Sequence, residues 1–259
     1  SLAEKIENEL KEWFEFCTTN YNKGREEKEI IDEWFENVIK KIVKEVENEY
    51  ENLNFKNVIQ KAWYELENKF RWYLRRSEIP NREVINFYIE ARNIMLHPII
   101  PHLTSEIFEK IGKDPLNISW IRIDSINEEI LKSEDYLSYV MSDINEILKI
   151  KKQRPNKIKI IVASKEKFEL AEKIKEELEK IGLHECMKKY SSNPIALKIL
   201  KHPQIFDYLV SNEFEILQQS QKFLEKELKC VVEIEKEEES KEEKAKNALP
   251  AKPAIVFIY

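Results

Sequence analysis

A chain of 259 residues with 42% hydrophobic and 10% aromatic content has enough apolar surface for a core. Its three glycines, at positions 24, 112 and 182, exclude a G-x-G-x-x-G or G-x-x-x-x-G-K loop and nucleotide binding by those routes. The 43 Lys and Arg against 49 Asp and Glu give a formal net charge of −6, so a nucleic-acid surface has to come from local clustering.

Along the chain, Ile30, Trp34, Phe35, Val38, Ile42, Val43 and Val46 form a helical stripe over residues 29–50. Phe55, Val58, Ile59, Ala62, Trp63, Leu66, Phe70 and Tyr73 repeat the habit, and a third helix is expected over 82–96. Pro98 and Pro101 then interrupt the pattern. Proline removes a donor and clashes with the preceding turn, so the helix must stop near Leu96 and a new one start at Pro101. Short connections predict an antiparallel bundle over 1–112. A polar, extended connector follows Gly112, helicity returns from about Glu134 to Ile150, and residues 113–156 form a connecting region.

"KIKIIVAS" (157–164) has the β-branched content of a strand, and a helix over 165–181 is stopped by Gly182. Helices are expected near 194–210 and 213–228. "CVVEIE" and the terminal "AIVFIY" read as strands, and "KEEESKEEKAKNALPAKP" (236–253) between them reads as a mobile polar loop. The fold class is mainly α: a helical bundle, then a small α+β domain over 157–259.

No nucleophile, base and orienting group converge in the sequence, and no metal-ligand spacing occurs, so no catalytic or metal residue is assigned. His97 and His102 read as structural groups near a helix start. Cys17, Cys186 and Cys230 stand alone, which suits a reducing compartment. Without a signal-like start or a membrane-spanning apolar run, a soluble cytoplasmic protein is expected.

Phosphate recognition needs cations presented together away from acids. "KFRWYLRR" supplies Lys69, Arg71, Arg75 and Arg76, with Phe70, Tyr73 and Leu74 on the buried stripe and Trp72 near the opposite side. That tryptophan either joins a nucleic-acid interface or packs against a neighbouring helix. "ILKIKKQRPNKIKIIVAS" (147–164) supplies Lys149, Lys151, Lys152, Arg154, Lys157 and Lys159 without an acid. The acidic run 233–244 is placed away from any binding face.

Pro98, Pro101, His102 and Glu106 in "HPIIPHLTSEIFEKIG" resemble the Pro-x-x-Pro-His-x-x-x-Glu segment in the anticodon-binding bundle of class I aminoacyl-tRNA synthetases for aliphatic amino acids. "PNKIKIIVASKEKFELAEKI", "FLEKELKCVVEIE" and "KAKNALPAKPAIVFIY" are similar to the C-terminal domain of archaeal and eukaryotic-type leucyl-tRNA synthetases; the Ala-Leu-Pro ending argues against the isoleucyl and valyl enzymes. The His-x-Gly-His and Lys-Met-Ser-Lys-Ser signatures of that class do not occur here. The resemblance therefore implies a noncatalytic, tRNA-binding C-terminal portion that positions tRNA for leucine, its partner being the catalytic portion. It implies no cofactor in this chain and ATP for the complete enzyme. Lys252, Ile255 and Phe257 join the basic residues as expected tRNA contacts, with Tyr259 a further stacking group. The alternative is a free-standing RNA-binding or protein-interaction module.

Overall fold

Helix α1 (Leu2–Asn20) precedes the first stripe read from the sequence. The computed structural model describes every residue except Ser1 and Lys152. Helix α2 (Ile30–Glu51) is the spine of the first unit. It buries Trp34, Phe35, Val38, Ile42, Val43 and Val46 as the stripe requires. Ile30, counted on that stripe, is exposed, and Ile31 and Ile39 take the inward positions.

Helix α3 (Phe55–Ile59) continues through a π turn at Gln60–Glu65 into α4 (Leu66–Ser77). The buried residues run Val58, Ala62, Leu66, Phe70, in steps of four. That step exceeds the 3.6-residue α period, and the wider π turn keeps the positions on one face. Phe55, Ile59 and Leu74, all assigned to the stripe, are exposed as a result.

Helix α5 (Arg82–Leu96) starts where Asn81 Oδ1 accepts from the amides of Glu83 at 2.9 Å and Val84 at 3.2 Å. The double-proline corner follows: the Leu96 carbonyl accepts from the Ile99 and Ile100 amides, and α6 (Pro101–Lys110) begins with Pro101 in its first turn. His97 Nδ1 lies 2.7 Å from Thr104 Oγ1 and pins the corner. His102 and Glu106 lie on the exposed side of α6.

The stretch expected to be a polar connector packs Trp120, Ile121, Ile123 and Ile126 against the core of this unit. Helix α7 (Glu128–Lys151) begins six residues before the expected 134. Asn127 causes this: its Oδ1 accepts from the Glu129 and Ile130 amides, while its own amide donates to Asn37 Oδ1 at 2.7 Å.

The chain divides into two units, Ser1–Leu131 and Lys132–Tyr259. In the second, β1 (Lys157–Val162) leads into α8 (Lys165–Lys189), which is interrupted at Gly182 by a non-helical φ of 76°. Helix α9 (Pro194–Leu200) is capped by Asn193 and ends early, because a residue before proline, here His202 before Pro203, is biased out of the helical region. A 3-10 turn at Pro203–Asp207 replaces the rest of the helix expected to 210. Helices α10 (Glu213–Gln219) and α11 (Gln221–Leu228) meet at Ser220, where one helix was expected.

Strands β2 (Val231–Lys236) and β3 (Ala254–Ile258) flank β1 in the order β2-β1-β3, the first pair parallel and the second antiparallel. The structure is thus mainly α with one small sheet in the second unit, the class expected from the sequence.

The segment expected to be a mobile loop is ordered. It forms a 3-10 turn at Glu243–Asn247 and buries Ala245, Ala248, Leu249 and Ala251. Lys167 of α8, 7% exposed, holds it: its ammonium donates to Glu237 Oε1 at 2.8 Å, the Lys246 carbonyl at 2.9 Å and the Ala248 carbonyl at 2.8 Å. The acidic composition of the stretch concealed its short apolar core.

A candidate nucleic-acid interface

On α4, Leu66, Phe70, Tyr73 and Ser77 face inward, which turns Arg71 and Arg75 outward. Lys69 and Arg76 are half-buried. Arg71 is not isolated from acid as its sequence neighbours imply: its Nε donates to Glu67 Oε1, one helical turn back, at 3.2 Å. Trp72 is half-buried against the core, and the Arg75 guanidinium sits 5.1 Å from its ring centroid. Packing therefore holds Trp72, and a cation covers its ring.

Beside this face lies a cleft of about 390 Å³ lined by Trp13, Trp63, Arg71 and Arg92 together with Glu9, Glu12 and Glu67. Arg92, buried, is sandwiched between the rings of Trp13 at 4.1 Å and Trp63 at 4.3 Å and paired with Glu67 at 2.8 Å. Three carboxylates make the cleft unsuited to phosphate, and Arg92 joins α1, α4 and α5 as a structural cation.

In the second unit Lys149 and Arg154 are exposed and line a broad cleft of about 790 Å³ with Gln153, Lys229 and Glu227. Lys151 lies 5.0 Å from the Phe257 ring centroid and 5.5 Å from that of Tyr259. Lys152 lies outside the described residues. Lys157 is paired with Glu233, and Lys159 with Glu235 at 3.2 Å and Glu242 at 3.0 Å. The acidic run is therefore not held apart from the basic cluster: parallel pairing of β1 with β2 sets Glu233 directly opposite Lys159.

Strand β3 places Ile255 and Phe257 opposite Ile160 and Ile158 of β1, and both side chains are half-buried. Lys252 and Ile255 line another cleft, of about 380 Å³, with Lys198, His202, Lys244 and Asn247. Lys198 and Lys244 were not singled out from the sequence, and His202 read there as an isolated surface or packing histidine. Lys198 and His202 are one helical turn apart, a readable spacing, but Lys244 is embedded in the acidic run. Burial first, and then the neighbouring Lys252 charge, hold the His202 imidazole below its ordinary value. Among the described residues no group of His, Cys, Asp and Glu is arranged to hold a metal ion, and no helix is long and apolar enough to cross a membrane.

Of the expected contacts, Arg71, Arg75, Lys149, Lys151 and Arg154 are, among the described residues, the basic ones on the exposed surface, the two arginines of α4 in the first unit and the other three in the second. Residues 32–181 match the family model described as the anticodon-binding domain of tRNA ligase. The chain belongs to that family. It is 32% identical to the leucine–tRNA ligase of Methanocaldococcus jannaschii over 89% of its own length and 25% of the relative's. The corresponding ligase of Pyrococcus horikoshii is 30% identical over 97% of the chain and 28% of the relative, and that of Aeropyrum pernix 28% identical over 98% and 28%. The likeness is to the C-terminal part of these archaeal ligases, so the chain spans only about a quarter of the length of the relatives it matches, and it carries no catalytic domain.

Proposed function

We propose that this chain is the tRNA-binding, noncatalytic C-terminal portion of a leucyl-tRNA synthetase, and that it positions tRNA for leucine against a catalytic portion that binds ATP. The observation that carries the reading is the match of residues 32–181 to an anticodon-binding domain, extended into the second unit by similarity to leucine–tRNA ligases. Arg71, Arg75, Arg76, Lys149 and Arg154 supply phosphate contacts, which fix register without reading bases. Phe257 and Ile255, on the edge strand, supply apolar contact to unstacked bases. The intended site is the cytoplasm, where tRNA is charged.

The test is complementation in trans. Adding the chain to a leucyl-tRNA synthetase from which the corresponding C-terminal part has been removed raises kcat/KM for tRNA without changing ATP-dependent leucine activation. An unchanged kcat/KM at saturating chain overturns the positioning role.

A further inference from the structure

Cations near the sheet of the second unit are largely neutralised. Lys157 faces Glu233, Lys159 faces Glu235 and Glu242, and Lys167 faces Glu237. The cleft of Lys198, His202, Lys244 and Lys252 departs from this pattern. No carboxylate lines it, and none of its three lysines has an ion-pair partner among the described residues. Among the described residues, the one polar contact of the Lys198 ammonium is Asn247 Oδ1 at 3.4 Å.

The cations are held together by a rigid backbone. Asn193 caps the helix that presents Lys198, and the His202 amide donates to the Ile199 carbonyl at 3.0 Å where that helix ends. Leu249 and Lys252 exchange backbone hydrogen bonds of 3.0 and 2.9 Å across a turn whose Ala251 has a φ of 58°. The Ala251 amide donates to the buried Glu213 at 2.6 Å, and Lys167 holds the carbonyls of Lys246 and Ala248. Like charges on a fixed frame repel, and an anion seated among them offsets that repulsion.

We propose that this cleft is a phosphate site in which Lys198, Lys244 and Lys252 take the anion and His202 supplies the fourth contact. A volume of about 380 Å³ leaves room beyond the phosphate for the organic part of an ester over Leu249, Pro253 and Ile255. The identity of that ester as RNA rests on the tRNA-binding reading; phosphate occupancy itself does not. An anion favours the imidazolium, so binding draws a proton onto His202, and for a phosphodiester, whose charge is constant there, affinity rises as pH falls through the histidine range. The charged groups that line the cleft with His202 are Lys198 from α9, Lys244 from the 3-10 turn and Lys252 from the turn before β3, all of one sign, and Lys252 is the one whose charge acts on the imidazole.

The four histidines make an NMR titration of the full chain readable. Inorganic phosphate raises the His202 midpoint and leaves those of His97, His102 and His184 in place; the pair Lys198→Ala and Lys252→Ala weakens this at least about tenfold, the loss of one charged hydrogen bond or more. tRNA then competes with phosphate at His202. A His202 midpoint unmoved by phosphate overturns the site, even where tRNA binds elsewhere on the chain. Phosphate binding that tRNA does not displace upholds the site and assigns it to a small phosphate ester instead of RNA.

Discussion

Lys167→Met tests how the second unit is held together. The substitution keeps most of the aliphatic stem and removes an ammonium that is 7% exposed and donates to one carboxylate and two carbonyls. Glu237 retains the Ser164 amide at 3.0 Å, but the carbonyls of Lys246 and Ala248 lose this donor. A buried acceptor left unsatisfied costs about 1–3 kcal/mol, and breaking a buried ion pair by removing one partner costs about 3–5 kcal/mol. The expected loss is therefore about 3–5 kcal/mol, a large fraction of a typical domain's stability. The amides of Ala245, Ala248, Leu249 and Lys252, each bonded within this segment, report it by hydrogen exchange. All five tryptophans, at 13, 34, 63, 72 and 120, lie in the first unit, so tryptophan fluorescence during urea unfolding provides an internal control. A loss below about 1 kcal/mol with unchanged exchange at those amides would refute the anchoring role.

Glu213, buried with no ion-pair partner among the described residues, is pushed up to about 8 by burial, against the Ala251 amide and the Tyr136 hydroxyl that favour its charged form. A raised folded-state value means its contribution is full below the unfolded value near 4.5 and is lost as pH rises to about 8. Glu213→Gln, which mimics the protonated carboxyl, flattens a slope of at most about 1.4 kcal/mol per pH unit in denaturation of the second unit; an unaltered slope contradicts the assignment. Gly24→Ala destabilises the first unit by more than about 1 kcal/mol in urea melts, since φ is +126° and the added Cβ would lie 2.5 Å from the Pro80 carbonyl oxygen; a neutral effect contradicts it. Replacing Arg71, Arg75 and Arg76 together with Ala weakens tRNA in filter binding and flattens its salt dependence, with about 0.5 kcal/mol or less lost from folding at each of the exposed Arg71 and Arg75; unchanged affinity removes α4 from the interface. Deleting 254–259 would strip an entire strand from β1, so Phe257→Ala is the sharper probe: it lowers affinity for a tRNA with a long variable arm more than for a short-arm tRNA, and an equal effect on both counts against base contact.

The bundle was legible because its punctuation is local. Pro98 and Pro101 fix a corner, and the Trp34–Val46 stripe faces inward as its period requires; in the second unit Gly182 likewise interrupts a helix. What escaped the sequence reading depends on side chains meeting backbone at a distance or on a change of period. Steps of four from Val58 to Phe70 signalled a π turn, yet they also fit a broad α-helical stripe. Asn127 moved a helix start, and Lys167 ordered a segment whose composition reads as solvated.

The site was only half legible for a related reason. A run of residues without acids, such as 69–76 or 147–164, is not a surface without acids, because Glu67 stands one turn from Arg71 and Glu233 reaches Lys157 from the next strand. The cations that do escape neutralisation at the second unit's cleft come from positions 198, 244 and 252, too far apart in sequence for clustering to show.

The most direct test of the central claim is a gel shift of the full chain with tRNA for leucine against a tRNA with a short variable arm, at low and at moderate salt. The expected result is binding that falls steeply with salt and is tighter for the leucine tRNA; no binding at low salt, or equal binding of both tRNAs, would overturn the tRNA-binding reading.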